Sequence, residues 1–348
     1  MQADRVAGMR GMAVAAVCAG LLSAACSTSS SGNLQFAPPS PSAAASPTPA
    51  AVVEPSAPLT GLPTQPAIAT QPAVVLPVAG STLEGLSQAD VVYEEVTSPL
   101  RYIAVFQSQQ ANTVGPITST RPADGEELAV LRPLVGYDGG TSSFISVLDH
   151  TGVVDLGYGT HSSLYQEGAN GLTTSTQALR HAASSSAPPE LFSYRGAESG
   201  SDTLATTGEW RPSSITISLP GYGTQNWAFD GPRDLWQLTA GGPSVEVANL
   251  VIQTVAYKQV FLNRKDGLSV PDARVLGRGA VEVFTGIGDS TARGPGGLAA
   301  RGEWSKPGLR DVTEYVDAKG FPMDFQPGPT WVILAPAGTQ IQTTEATS

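Results

Sequence analysis

The chain has 348 residues, two cysteines and a formal net charge of −11. An acidic chain repels nucleic acid and anionic lipid headgroups alike, so nucleic acid is excluded as a partner and charge does not draw the chain to a membrane surface. With 38 glycines, 28 prolines and 14% charged residues, it should hold many turns and few long exposed helices. The first ten residues carry Arg5 and Arg10, and residues 11–25 (GMAVAAVCAGLLSAA) carry no charge. A basic start, a short apolar run and small residues at its end form a secretory signal, assigned to residues 1–25. The run is shorter than the roughly 20 residues of a membrane-spanning helix.

The segment Leu22-Ser23-Ala24-Ala25-Cys26 resembles a bacterial lipobox, with Ser23 where leucine is commoner. Cleavage before Cys26 would leave its thiol carrying a diacylglyceryl group, whose two acyl chains, palmitate among them, anchor stably where a single chain binds only marginally. The alternative is an ordinary secreted protein with an incidental cysteine. Cys18 would leave with the signal, so no disulfide is available and the fold must rest on its own core. Residues 26–58 are rich in Ser, Pro and Ala with Glu54 as their one charge, the composition of a disordered tether. A flexible segment of this length reaches roughly 30 Å.

The body reads as α+β in two domains. In the first, assigned to residues 59–200, PAVVLPVA (72–79), DVVYEEVT (90–97) and RYIAVFQS (101–108) are strands rich in Val, Ile and aromatics. A helix is predicted over about 122–131, with Pro122 in its first turn and Ser119 or Thr120 as its cap. LRPLVGYD (131–138) returns as a strand. SSFISVLDH (142–150) and TTSTQALRHAA (173–183) are further helices, with Phe144, Val147 and Leu148 on one side of the former. This alternation predicts an α/β domain with a mixed sheet. A joint is expected around 187–212. The second domain, assigned to 210–340, reads as mostly β. Its strand-like runs are SSITISLP (213–220), VEVANLVIQTVAYKQV (245–260), RVLGRGAVEVFTG (274–286), DVTEYVD (311–317) and TWVILAP (330–336).

No complete catalytic motif emerges. There is no Gly-x-Ser-x-Gly elbow, no Gly-Lys-Ser/Thr phosphate loop, and none of the four Gly-x-Gly pairs completes Gly-x-Gly-x-x-Gly, so turns and bulges explain the glycines better. His161-Ser162-Ser163 places hydroxyls beside an imidazole, but sequence neighbours rarely give nucleophile–base geometry. His150, His161 and His181 lack tandem metal-ligand spacing, so no metal and no cofactor is expected. Glu94-Glu95 and Glu126-Glu127 read as solvated charge. The best constellation is Arg121, Asp124, Tyr137, Asp138, Thr141 and Ser142, on two loops that follow strands and precede helices, where open α/β sheets bind ligands. Arg121 would clamp a carboxylate or phosphate there, or else pair with Asp124 or Asp138 and tie the loops together. Of the tryptophans, Trp331 reads as core, while Trp227 and Trp236 have polar neighbours and are the candidates for exposure on a sugar polymer.

The segments PLTG (58–61), PAVVLPV, GLSQADVVYE (85–94), RYIAVFQS, GPITSTR (115–121), GGT (139–141), LTTS (172–175), ANLVIQ (248–253), GEWSK (302–306) and DVTEYVDAKGFPMDFQPGPTWVILAP (311–336) together resemble the YerB-like family of bacterial lipoproteins, with paired N- and C-terminal domains of unknown function. The family pattern has an arginine at Thr118 and histidines where Tyr137-Asp138 and Asn170-Gly171 stand. The resemblance implies architecture and location more than a reaction. The leading expectation is a lipid-anchored protein on the extracytoplasmic side of the cell membrane, binding or scaffolding at the envelope. It would be held to the bilayer through acylated Cys26, with envelope proteins or cell-wall polymer as partners and nucleic acid excluded. The alternatives are a divergent envelope-polymer enzyme, or a binder of small anions, using the Arg121/Asp138 crevice.

Overall fold

The computed structural model describes residues 54–195, 210–263, 267–288 and 294–347. Cys26, the signal, the tether up to residue 53 and residues 196–209 of the expected joint lie outside the described residues. The last residues assigned to the tether already belong to the body: Ala57 is buried, and Ser56 bridges to Pro63.

In chain order the first region holds a short helix α1 (Pro66–Ala69), β1 (Val74–Ala79), β2 (Val91–Glu95), β3 (Arg101–Phe106), α2 (Pro122–Leu128), β4 (Leu134–Val135), α3 (Ser142–Asp149), β5 (Val154–Asp155), α4 (Tyr158–His161), β6 (Tyr165–Gly168), β7 (Gly171–Thr174), α5 (Thr176–Ala182) and β8 (Ser193–Tyr194). The second is all strand: β9 (Pro212–Leu219), β10 (Gly223–Asp230), β11 (Leu235–Ala240), β12 (Glu246–Val247), β13 (Asn249–Val255), β14 (Tyr257–Asn263), β15 (Leu268–Ala273), β16 (Gly277–Thr285), β17 (Leu298–Lys306), β18 (Glu314–Asp317), β19 (Asp324–Phe325), β20 (Thr330–Pro336) and β21 (Gln340–Glu345). The run expected as one strand over 245–260 is three, because β13 stays in the main sheet while β14 leaves it at Ala256 to form a hairpin with β15.

Ten strands from both regions form one mixed sheet in the order β18-β17-β16-β13-β20-β2-β3-β1-β4-β5. The seam is β20, which lies parallel to β13 on one side and to β2 on the other. One face of this sheet carries Leu76, Val92, Tyr102, Ile252, Phe284 and Trp331. It packs on α5 and on a second sheet of order β12-β11-β10-β9-β21 that brings Ile215, Ile217, Trp227 and Trp236. The opposite face carries Val75, Tyr93, Ile103, Val251, Val332 and Leu334. It packs on α2, α3 and the Phe192/Phe325 pair, from just before β8 and from β19. Covered on both sides, β2 and β3 are buried along their whole length, including Glu94, Glu95 and Arg101 at the ends where the two strands meet. Strand β9, covered on one side, alternates instead and buries Ile215, Ile217 and Leu219.

Helix α2 starts at Pro122 as predicted, but neither Ser119 nor Thr120 is its cap residue. Arg121 is, and the Asp124 carboxylate closes the turn by accepting the Arg121 N–H at 3.0 Å and the Thr120 hydroxyl at 3.1 Å. On α3, Phe144 and Leu148 face the core, while Val147 lies on the exposed side.

Candidate functional site

The turn at Ser98-Pro99 folds β3 back on β2 so that Glu95 stands opposite Arg101. On the helix-covered face, Arg101 Nη1 donates to Glu95 Oε2 at 2.7 Å and to Asp124 Oδ1 at 2.7 Å. Its Nη2 donates to Asp124 Oδ2 at 2.5 Å and to the Ser119 carbonyl at 3.0 Å. All three ionic side chains are buried. Burial works against the Arg101 charge, but Asp124 and Glu95 outweigh it and hold the guanidinium above its ordinary range. Burial pushes Glu95 upward, opposed by Arg101. Arg121 lies beside this trio, its Nη1 3.9 Å from Glu95 Oε2 and donating to the Pro271 carbonyl at 3.2 Å. Asp272 of β15 accepts the Ala123 N–H at 3.0 Å, with Lys258 Nζ 3.6 Å from its other oxygen. The cluster therefore docks the β14–β15 hairpin onto the start of α2.

This arrangement revises the expected crevice. Its two loops do meet: Asp138 N–H donates to the Thr118 carbonyl at 2.9 Å, and Thr120 N–H to the Gly139 carbonyl at 3.1 Å. Their functional side chains do not converge. Arg121, with a side chain only 14% exposed, turns inward to Glu95 and Pro271 rather than to Asp138, and Asp124 is taken by Arg101. Tyr137 is buried, and its hydroxyl donates to Asp155 Oδ2 at 2.8 Å. Thr141 caps α3 by accepting the Phe144 N–H, and Ser142 is that helix's exposed first residue. Asp138 alone of the charged candidates faces solvent. His150 follows the end of α3, His161 ends α4 and His181 lies in the last turn of α5. Among the described residues no three His, Cys, Asp or Glu side chains group to hold a metal.

Glu94 and Glu95, read from sequence as solvated, are both 0% exposed. They point to opposite faces of β2, so each needed its own buried partners. Glu94 faces the second sheet. Trp331 Nε1 donates to its Oε2 at 2.8 Å, Gln225 Nε2 donates to its Oε1 at 2.6 Å, and Trp227 Nε1 donates to Gln225 Oε1 at 3.3 Å. Every donor points toward the carboxyl, yet burial still pushes Glu94 up to about 7. Trp227 and Trp236 are 1% and 0% exposed, which corrects the expectation of a sugar-stacking surface: their polar neighbours in sequence point outward from β10 and β11 while the indoles fill the inter-sheet core. Trp331 is core as expected.

Beside this network lies a cleft of about 470 Å³. One wall is the turn after β1, with Ser81, Gly85 and Ser87. The other is the turn after β11, with Gly241 and Ser244, and Tyr102 of β3 lies between them. Both turns need glycine. Gly85 (φ +78) and Gly241 (φ +88) are left-handed, and a Cβ at either would press into a carbonyl, that of Thr113 or Thr224. No charged side chain lines the cleft. Tyr102 is 3% exposed, and no protein group among the described residues hydrogen-bonds its hydroxyl. Sequence reasoning missed this cleft because its walls come from turns more than 150 positions apart.

The model for the N-terminal domain of a protein of unknown function, DUF3048, matches residues 59–193, and that for the C-terminal domain of the same family matches residues 236–332. A Bacillus subtilis (strain 168) relative named "Putative lipoprotein YerB" is 39% identical over 71 residues, 19% of this chain. The chain spans 22% of that relative's length in the match. The crystal structure of the YerB protein from Bacillus subtilis superposes with a TM-score of 0.64 at 19% identity, covering 83% of this chain and 100% of the other, and so shares its fold. With both models matched in order over an α+β body, the chain belongs to the DUF3048 family, whose function is unknown.

Proposed function

We propose that the chain is a lipid-anchored protein of the cell envelope whose body binds or scaffolds on the extracytoplasmic side of the membrane. The observation that carries this reading is Cys26 behind a signal-like LLSAA segment and ahead of a polar stretch, in a chain related to a protein named as a lipoprotein. No helix among the described residues is long and apolar enough to cross a membrane, so acylation would supply the attachment. The expected Arg121/Asp138 chemistry is disfavoured, because Arg121, Asp124 and Glu95 are engaged with Arg101 and the hairpin and Asp138 alone faces solvent. Stable anchoring needs two or more acyl chains. Mass spectrometry of the mature protein should find Cys26 as the N-terminal residue with a diacylglyceryl group and an amide-linked acyl chain. Cys26→Ser should move the protein from the membrane pellet to the soluble fraction. An intact leader with a free thiol would refute the anchoring.

A further inference from the structure

We propose that the cleft between the Gly80–Ser87 and Gly241–Val245 turns binds a neutral, polyhydroxylated saccharide. This deepens the binding reading above and rests on it only for the premise that the body takes a ligand. Four observations carry it.

The cleft of a chain with net charge −11 is lined by no charged group. An ionic ligand would be desolvated there without a counter-charge, which penalises it; a neutral ligand carries no such cost. The polar groups that do line it are hydroxyls, from Ser81, Ser87, Ser244 and Tyr102. A hydroxyl both donates and accepts, so a set of them matches the alternating donors and acceptors of a sugar ring. The Tyr102 hydroxyl is the decisive one. Its side chain is nine-tenths buried or more, lines the cleft, and has no hydrogen-bond partner among the described residues. The hydroxyl is not among the buried atoms that lack a partner, so it opens to the cleft, where a ligand hydroxyl can take the place of water. The volume, about 470 Å³, lies within the ~300–1,000 Å³ of small-molecule sites.

The cleft is also rigidly held. Tyr102 stands opposite Glu94 in the β2–β3 register, and Gln225 donates to Glu94 from β10. Gly241 packs directly on the backbone at Thr224 and Gln225. The Glu94–Gln225 bond therefore ties the wall of one sheet to the wall of the other, and a site set before binding loses less ordering entropy on occupation.

The test uses the full chain in detergent, titrated by calorimetry and tryptophan fluorescence with the neutral N-acetylglucosamine trimer and with maltotriose. A galacturonic acid trimer is the charged comparison and a neutral tripeptide amide the non-sugar one. At least one neutral saccharide should bind, and more tightly than the charged trimer. Trp331, whose ring centroid is 5.5 Å from that of Tyr102, should report it by a change in emission. Tyr102→Phe should weaken binding about 2- to 12-fold, the loss of one neutral hydrogen bond. Ser87→Trp, at an exposed position on the rim, should abolish binding with the thermal melt unchanged. Absence of binding by both neutral saccharides up to about 10 mM, where no specific site is at work, would overturn the inference. So would binding that survives Ser87→Trp, or preference for the charged trimer or the peptide. A chain that is acylated and pellets with membranes yet binds no saccharide overturns this inference alone. One that binds saccharide with Cys26 unmodified overturns the anchoring alone.

Discussion

Replacing Glu94 by Gln isolates the cost of one buried charge. The carboxyl is raised from an ordinary 4.5 to about 7 in the folded protein, with burial as the cause. A carboxyl raised on folding keeps its proton more tightly in the folded state. Its contribution is therefore most favourable below the unfolded value and is lost as pH climbs from about 4.5 through 7. The rise corresponds to about 3 kcal/mol between the limits, most of which falls between pH 5 and pH 9. Glutamine has the same shape but one acceptor oxygen, so it keeps one of the Trp331 and Gln225 donors and opposes the other with its own NH₂. That mismatch costs about 1–3 kcal/mol at any pH. Wild type should thus exceed Glu94→Gln in stability at pH 5, and the gap should shrink by about 2–3 kcal/mol, closing or reversing, by pH 9. Urea unfolding of both proteins at the two pH values measures this, and taking the difference cancels the titration of every other group. A gap that stays constant across the range would refute the reasoning, because Glu94 would then carry the same charge folded and unfolded.

Arg101→Met leaves Glu95 and Asp124 buried without their shared cation and should cost about 3–5 kcal/mol in a denaturant melt, with a loss below about 1 kcal/mol counting against a buried network. Trp236→Ala opens the inter-sheet core and should cost about 3–5 kcal/mol by the same assay, whereas an exposed indole would cost almost nothing. Gly85→Ala forces a side chain into a left-handed conformation and should cost roughly 1–2 kcal/mol or more in a thermal melt. An unchanged melt would show that the turn relaxes freely.

The strands most visible in the sequence are those rich in Val, Ile and aromatics: β1, β2, β3, β13 and β20, which form the middle of the main sheet, with Glu94, Glu95 and Arg101 the charged exceptions. The second sheet was harder to see. In β10, Thr224 and Asn226 face outward between Gln225 and Trp227, so the apolar signal is one residue wide and the indoles look like surface. Strands β4 and β5 are two residues each, too short for any period. The ion cluster was within reach, since a turn at Ser98-Pro99 sets Glu95 against Arg101 in a hairpin register. The Glu94 network was not, because Gln225 is 131 positions away and Trp331 is 237. Arg121 reads in sequence as a ligand clamp or as a tie to Asp124 or Asp138; its contacts with Glu95 and the Pro271 carbonyl follow from the β14–β15 hairpin that covers it, and nothing local to Arg121 announces that cover.

The seam at β20 has a bearing on how the chain comes into being. Residues 330–336 come after every other strand of the main sheet in chain order, yet they form the strip to which both β2 and β13 are zipped. A nascent or translocating polypeptide that lacks this strip presents two unpaired strand margins to its surroundings and has no completed main sheet to rest on. Completion of the main sheet must wait until residue 336 has been made, and truncation before residue 330 removes the keystone and leaves neither β2 nor β13 its parallel partner.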